Sequence, residues 1–388
     1  MKHFRIGAVL AASLLWAGGA LAADAPDAKL PLGLPPVPVP EANPITPAKV
    51  ALGDKLFDDK RFSKTGEVAC NTCHDPQKAF TDSPLQVSEG ISQKGKKLTG
   101  TRNAPTVVNA AYMKSMFWDG RSPDLEDQAQ HPFVNPVEMG LKDHEPILNI
   151  VRTDPEYVKA FQEVFGKTGK DVTMKEVTQA IAAFERTKVS GNSAFDRYFY
   201  GGEKGALTDA QRRGFDLFVN KGRCVSCHVV EQTQAVFSDG RFHNVGVGIN
   251  DIQTEVPKLA GSYIDAKVKA EDVDVKVLSD KRTSELGRFA VTTLFDELGA
   301  FKTPTLRNVA VTAPYMHDGS QKTLRDVMVH YNNGGVTNEG DPVNDFLSGG
   351  IRPLDLTDEE IADLVAFMDA LTSPEFASLP KALGLEEK

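Results

Sequence analysis

Apolar residues recur at helical spacing in four stretches of the chain, and each stretch opens with a capping signal. Thr46-Pro47 is an N-cap followed by proline at the first helical position, which predicts a helix over 48–58. Thr173 and Glu176 form a capping box ahead of Val177, Ile181 and Phe184, which share one helical face. Thr208 and Gln211 open a helix through Val219, and Thr357 and Glu360 open another whose buried stripe is Ile361, Leu364, Val365 and Met368. Gly53-Asp54-Lys55-Leu56-Phe57 in the first of these helices is matched by Gly214-Phe215-Asp216-Leu217-Phe218 in the third. Strand signals are short and scattered, and 238–300 reads as helix-poor loops. The pattern predicts a mainly α fold with extended loops.

The N-terminus departs from this pattern. Lys2, His3 and Arg5 make a basic start, Ile6 to Trp16 an apolar stretch, and Ala20-Leu21-Ala22 a small-residue cleavage signature, so 1–22 reads as a secretory signal peptide. The apolar part is too short for a membrane span, and no second candidate follows, which leaves no span after signal removal. Residues 23–45 are a Pro-rich extended segment, with eight prolines over 24–47, and read as a tether over the surface.

With 388 residues and about 150 per domain, the chain has room for two domains, each with its own core. At 41% apolar and 25% charged it is an ordinary globular composition. Its 53 acidic against 44 basic residues argue against a nucleic-acid surface. The net charge of -9 deepens by two when Lys2 and Arg5 leave with the signal, so a basic or neutral partner is expected. Four cysteines are too few for a disulfide scaffold in a chain of this length.

All four lie in two motifs, Cys70-Asn71-Thr72-Cys73-His74 and Cys224-Val225-Ser226-Cys227-His228. C-x-x-C-H is the attachment signature of c-type haem, in which the thiols add to the vinyl groups and the histidine becomes an iron ligand. A zinc site or two redox disulfides would not require a histidine directly after each pair. Two covalent haem c groups follow, and the loops at 238–300 are expected to wrap the second. The chain divides into haem c domains at 46–203 and 204–388, two cytochrome c-like domains in tandem.

An internal repeat supports the division. Pro105-Thr106-Val107-Val108-Asn109-Ala110-Ala111 recurs as Pro304-Thr305-Leu306-Arg307-Asn308-Val309-Ala310, an offset that also aligns Asp119-Gly120 with Asp318-Gly319 and Trp118 with His317. The distal ligand of a c-type haem comes most often from Met or His in the C-terminal part of its domain. In the second half the candidates are Met316, His317, Met328, His330 and Tyr331; at the position of Tyr331 the first half has Pro132, which cannot bind iron. One haem is therefore expected to be open.

Arg102-Asn103-Ala104-Pro105-Thr106, Phe117-Trp118-Asp119-Gly120-Arg121, Val137-Glu138-Met139, Pro304-Thr305-Leu306-Arg307-Asn308 and Tyr315-Met316-His317-Asp318-Gly319, in this order around the two C-x-x-C-H motifs, resemble the bacterial di-haem cytochrome c peroxidase/MauG family. The resemblance spans nearly all of the mature chain. It implies a periplasmic oxidoreductase in which hydrogen peroxide reacts at the haem on His74, while the haem on His228 transfers electrons. It implies Trp118 as the relay between haems, Gln128 and Glu138 as distal polar residues with Glu138 the acid/base, and a calcium ion held by Asn103 and the carbonyls of Thr312 and Pro314. The implied donor is a small redox protein or an oxidisable protein side chain, and the family pattern allows a homodimer. Two departures point to the MauG-like branch. Ile91 stands where many of the peroxidases carry a loop histidine, and Tyr331 falls at the place of the axial methionine, with Met328 and His330 as rivals. Two other classes fit the C-x-x-C-H motifs alone: a di-haem electron-transfer cytochrome without peroxidase turnover, and a sensor of diatomic ligands.

Overall fold

The structure is a computed structural model, and it describes residues 30–268, 279–336, 341 and 343–385. The expected signal peptide and the start of the Pro-rich segment lie outside the described residues. The fold is rich in helix. Its strands form only two short antiparallel ribbons, β1 (Glu89–Gln93) with β2 (Lys96–Thr99) and β3 (Phe242–His243) with β4 (Phe301–Lys302).

The four capped helices form where the sequence places them. In the first half the opening helix Pro47–Phe57, capped by Thr46, packs against the closing helix Met174–Glu185; in the second, Asp209–Val219 packs against Asp358–Asp369. The capping boxes of Thr173, Thr208 and Thr357 are all made. Each pair crosses at a glycine. A side chain on Gly53 would overlap the Ala180 carbonyl and one on Gly214 the Asp363 carbonyl, so only hydrogen there lets the helices approach this closely. Phe184 and Phe367 fill the equivalent places beside these glycines.

The repeat extends to backbone detail. Asn109 and Asn308 are both left-handed, at φ 64° and 61°. Asn109 N–H donates to Lys188 O and its Oδ1 accepts from Ser190 N; Asn308 N–H donates to Leu371 O and its Oδ1 accepts from Ser373 N. Each half builds its own core, one around Leu56, Phe133, Tyr157 and Ile181, the other around Phe218, Phe237, Leu364 and Phe367. The helix Ala194–Phe199, numbered within the expected first domain, packs with the second half, because Phe195 makes edge-to-face contacts with Phe215, Phe237 and Phe367.

One reading needs correction. The stretch 238–300 is not a set of loops around the second motif. Its described residues include the helices Ile249–Ile252, Val256–Val268, Lys281–Ser284 and Phe289–Thr292, with a core of their own from Ile249, Val256, Tyr263, Leu286 and Phe289. Pro257 and Gly261 disguise the helical period of Val256, Ala260 and Tyr263, but a proline in the first turn costs a helix no internal hydrogen bond. The stretch bridges the halves: Arg288 donates to the carbonyls of Asp119 (2.9 Å) and Gly120 (2.8 Å), and Ser284 Oγ meets Arg102. The described part of the Pro-rich segment is extended, and it is pinned to both halves. Gly33 O accepts from Ala235 N and from Arg307 in the second half, and Asn43 donates to Gln179 O in the first.

Candidate functional site

The two C-x-x-C-H motifs line one cavity of ≈ 840 Å³ that runs between the halves. The other sequence-predicted residues line it too: Trp118, Gln128, Glu138, Tyr331, Asn103, Thr312 and Pro314. None of the four cysteines is in a disulfide, and burial pushes the Cys73 and Cys224 thiols up to about 12.

His74 Nδ1 lies 3.2 Å from Phe80 O, and His228 Nδ1 lies 2.9 Å from Phe237 O. Phe80 and Phe237 both have φ 57°, a left-handed turn that aims each carbonyl at its imidazole. Thr106 Oγ and Thr305 Oγ fix the preceding residues through the carbonyls of Ala79 (2.6 Å) and Val236 (2.8 Å). A carbonyl on Nδ1 holds the proton there and leaves Nε2 as the ligating nitrogen. Burial lowers both histidines below the ordinary imidazole range, which favours that neutral form. Paired free thiols beside a neutral, oriented imidazole in a largely apolar cavity fit a covalently held haem, and the arrangement is present twice.

On the first half's open side, the short helix Leu125–Gln128, capped by Asp124, carries Gln128 to the cavity. Glu138 sits on a loop held by β1. Ile91 N–H donates to Glu138 O (2.8 Å), and a side chain on Gly90 would collide with the Val137 carbonyl. Burial raises the Glu138 carboxyl to about 7, against the opposing pull of Arg121 and Asn135. Ile91 itself is 5% exposed and packs in the first core, away from the cavity wall.

Arg121 also lines the cavity, a residue without a role in the sequence reading. Its guanidinium lies 3.4 Å from the Phe117 ring centroid, and Nη1 donates to both carboxylate oxygens of Asp119 (3.0 and 3.1 Å). Asp119 is buried, but Arg102 and Arg121 outweigh that burial and hold its carboxyl well below the usual range. The signal available was the Asp119-x-Arg121 spacing, which does not say where the guanidinium points. Lys302 was also missed. It lines the cavity, donates to Ser115 O (2.6 Å), and burial lowers its amine to about 8.

Trp118 lies where the halves meet. Its Nε1–H donates to Asn103 O (2.9 Å), its carbonyl accepts from Lys302 N (2.8 Å), and Asn103 N–H donates to His317 O (2.8 Å). The Asn103 side chain donates to the carbonyls of Leu85 and Gln86, and Thr312 Oγ donates to Val309 O. In the second half, the helix Leu324–Asn332 places Met328 and Tyr331 on the cavity wall and His330 off it, with His330 Nε2 2.8 Å from Val245 O. Burial raises the Tyr331 phenol. Pro132 lines the cavity at the matching place in the first half.

The family described as di-haem cytochrome c peroxidase matches residues 47–204. The chain is 38% identical to the cytochrome-c peroxidase IdrP1 of Denitromonas iodatirespirans, over 94% of this chain and 93% of that protein. It is 34% identical to the methylamine utilization protein MauG of Methylorubrum extorquens, over 89% and 84%. A solved MauG-like protein associated with microbial copper homeostasis superposes with a TM-score of 0.72 at 32% identity, covering 91% of this chain and 97% of that one.

Proposed function

The chain belongs to the di-haem cytochrome c peroxidase/MauG family and is a di-haem peroxidase-like oxidoreductase; we propose that it works in the periplasm, takes hydrogen peroxide at the first half and draws electrons through the second. The observation that carries this reading is the asymmetry of one cavity wall, with Pro132 in the first half and Tyr331 at the equivalent place in the second. Haem c bound at each motif supplies the iron that reacts with peroxide and the conjugated ring that passes electrons.

The chain's residues do the rest. His74 and His228 would each hold a haem iron through Nε2. Glu138 accepts a proton from peroxide and returns it to the departing oxygen, which leaves as water. Gln128 orients the peroxide with its amide, and Arg121 keeps a fixed positive charge beside Glu138. Trp118 passes the electron between the halves; its indole N–H faces a backbone carbonyl, which takes no proton, so the electron moves alone. Tyr331 would hold the iron of the second haem, where its phenolate, formed on binding, would be a hard anionic donor favouring higher oxidation states, in the MauG-like manner. Asn103, with the carbonyls of Thr312 and Pro314, would hold a calcium ion between the halves. The external donor is a small redox protein or an oxidisable protein side chain, with basic or neutral partners favoured by the acidic chain.

Electron paramagnetic resonance of the ferric holoprotein, before and after peroxide, tests the reading. One high-spin and one low-spin haem are expected, with the high-spin signal lost on adding peroxide without prior reduction. Two six-coordinate low-spin haems that ignore peroxide would overturn it. Tyr331→Phe should change the low-spin spectrum; if it does not, Met328 is the next ligand to test.

A further inference from the structure

Glu185 ends the closing helix of the first half, is 6% exposed, and still lines the cavity. Its Oε2 has no hydrogen-bond partner. The internal repeat shows how unusual this is. Ile181 and Leu364 line the cavity at equivalent turns of the two closing helices, and Phe184 and Phe367 pack at equivalent places beside Gly53 and Gly214. The next residue is Glu185 in the first half and Met368 in the second, and both face the cavity. Packing at this position is thus satisfied by a thioether, while a buried carboxyl with an unmade hydrogen bond costs about 1–3 kcal/mol.

The neighbouring charges do not neutralise it. Arg186, next along the chain, is committed to Glu126 of the helix Leu125–Gln128 at 2.6 and 2.7 Å. Asp58, at the end of the opening helix, is another acid beside Cys70, the first cysteine of the motif. Burial raises the Glu185 carboxyl to about 8, with Arg186 pulling it down and Glu126 pushing it up. The side chain therefore mostly carries its proton at neutral pH, in a buried wall beside the group that Cys70 would tether.

We propose that Glu185 is the proton-holding partner of the first redox centre, giving up a proton when that centre loses an electron and regaining it when the electron returns. This rests on the haem reading of the first motif. The balance is one electron to the oxidant, which is peroxide in turnover or a mediator in a titration, and one proton from the Glu185 carboxyl to solvent; no other bond changes. Added positive charge across a low-dielectric contact lowers the carboxyl's proton affinity, and the lost proton offsets that charge.

The test is a redox titration of the holoprotein at several pH values, read on the high-spin haem in a Glu138→Gln background so that Glu138 does not contribute. The midpoint should fall as pH rises through neutrality, Glu185→Gln should remove that dependence, and Glu185→Asp should keep it. An identical pH slope with and without Glu185 would overturn the proposal. Should Glu185→Gln not take up haem, infrared difference spectra of the parent protein decide: loss of a protonated-carboxyl band on oxidation supports the role, and no carboxyl change sinks it. A protein with two haems that reacts with peroxide but has a Glu185-independent slope loses this proposal alone. One lacking haem or a peroxide response loses the functional reading as well.

Discussion

Glu138 and Glu185 face one cavity, and burial carries their carboxyls to about 7 and about 8. As the base for peroxide, Glu138 must be ionised, and its ionised fraction grows as pH rises through about 7. The rate of the peroxide reaction should therefore climb across that range and level off above it. Glu138→Gln should lose roughly 10²–10⁴-fold and abolish the climb, as measured by stopped-flow absorbance. Arg121 lowers the Glu138 carboxyl, so Arg121→Ala should move the midpoint of the profile to higher pH; an unmoved midpoint would mean the guanidinium does not act on Glu138. Glu138 was legible in the sequence through its motif. Arg121 was not, because only the folded chain shows Asp119 and the Phe117 ring turning it into the cavity.

The helix pairs rest on local signals that a sequence carries in full. The Thr173–Glu176, Thr208–Gln211 and Thr357–Glu360 boxes each satisfy backbone donors within four residues, so no distant partner is needed to see them. The crossings are another matter. Gly53 and Gly214 look like weak points in their helices until the partner helix is seen lying against each. Gly53→Ala and Gly214→Ala should each destabilise the holoprotein by about 1–3 kcal/mol or more, seen as a lower Tm, because a backbone carbonyl cannot yield as a flexible side chain can. An unchanged Tm would show that the helices can part at no cost. The helix Val256–Val268 escaped notice for the opposite reason, since its internal proline and glycine masked a regular apolar face.

Across the molecule the two halves are tied by two devices: the bridging stretch within 238–300, and the described part of the Pro-rich strap, which the buried Arg307–Asp196 pair anchors in the second half. Arg307 donates to both oxygens of Asp196 at 2.9 Å and also to Gly33 O, so one guanidinium locks the strap to the second core. Asp196→Ala strands that charge and should cost about 3–5 kcal/mol. In a molecule of this size a loss of that kind lowers Tm by roughly 2–4 °C per kcal/mol, measurable by calorimetry of the haem-loaded protein. No helix among the described residues is long and apolar enough to cross a membrane.

The sequence determined the attachment chemistry, the helix starts and the repeat, because each is written in residues close together in the chain: C-x-x-C-H, a capping box, a Pro-Thr-x-x-Asn run. Tertiary structure decided what depends on residues brought together from afar. It joined two motifs 154 residues apart in one cavity, turned Met328 and Tyr331 toward it and His330 away, buried Ile91, and left the Glu185 carboxyl unpartnered where the other half has Met368. Burial and partnership are properties of the packed chain, and on that wall they raise the Glu138 and Glu185 carboxyls and lower the Lys302 amine.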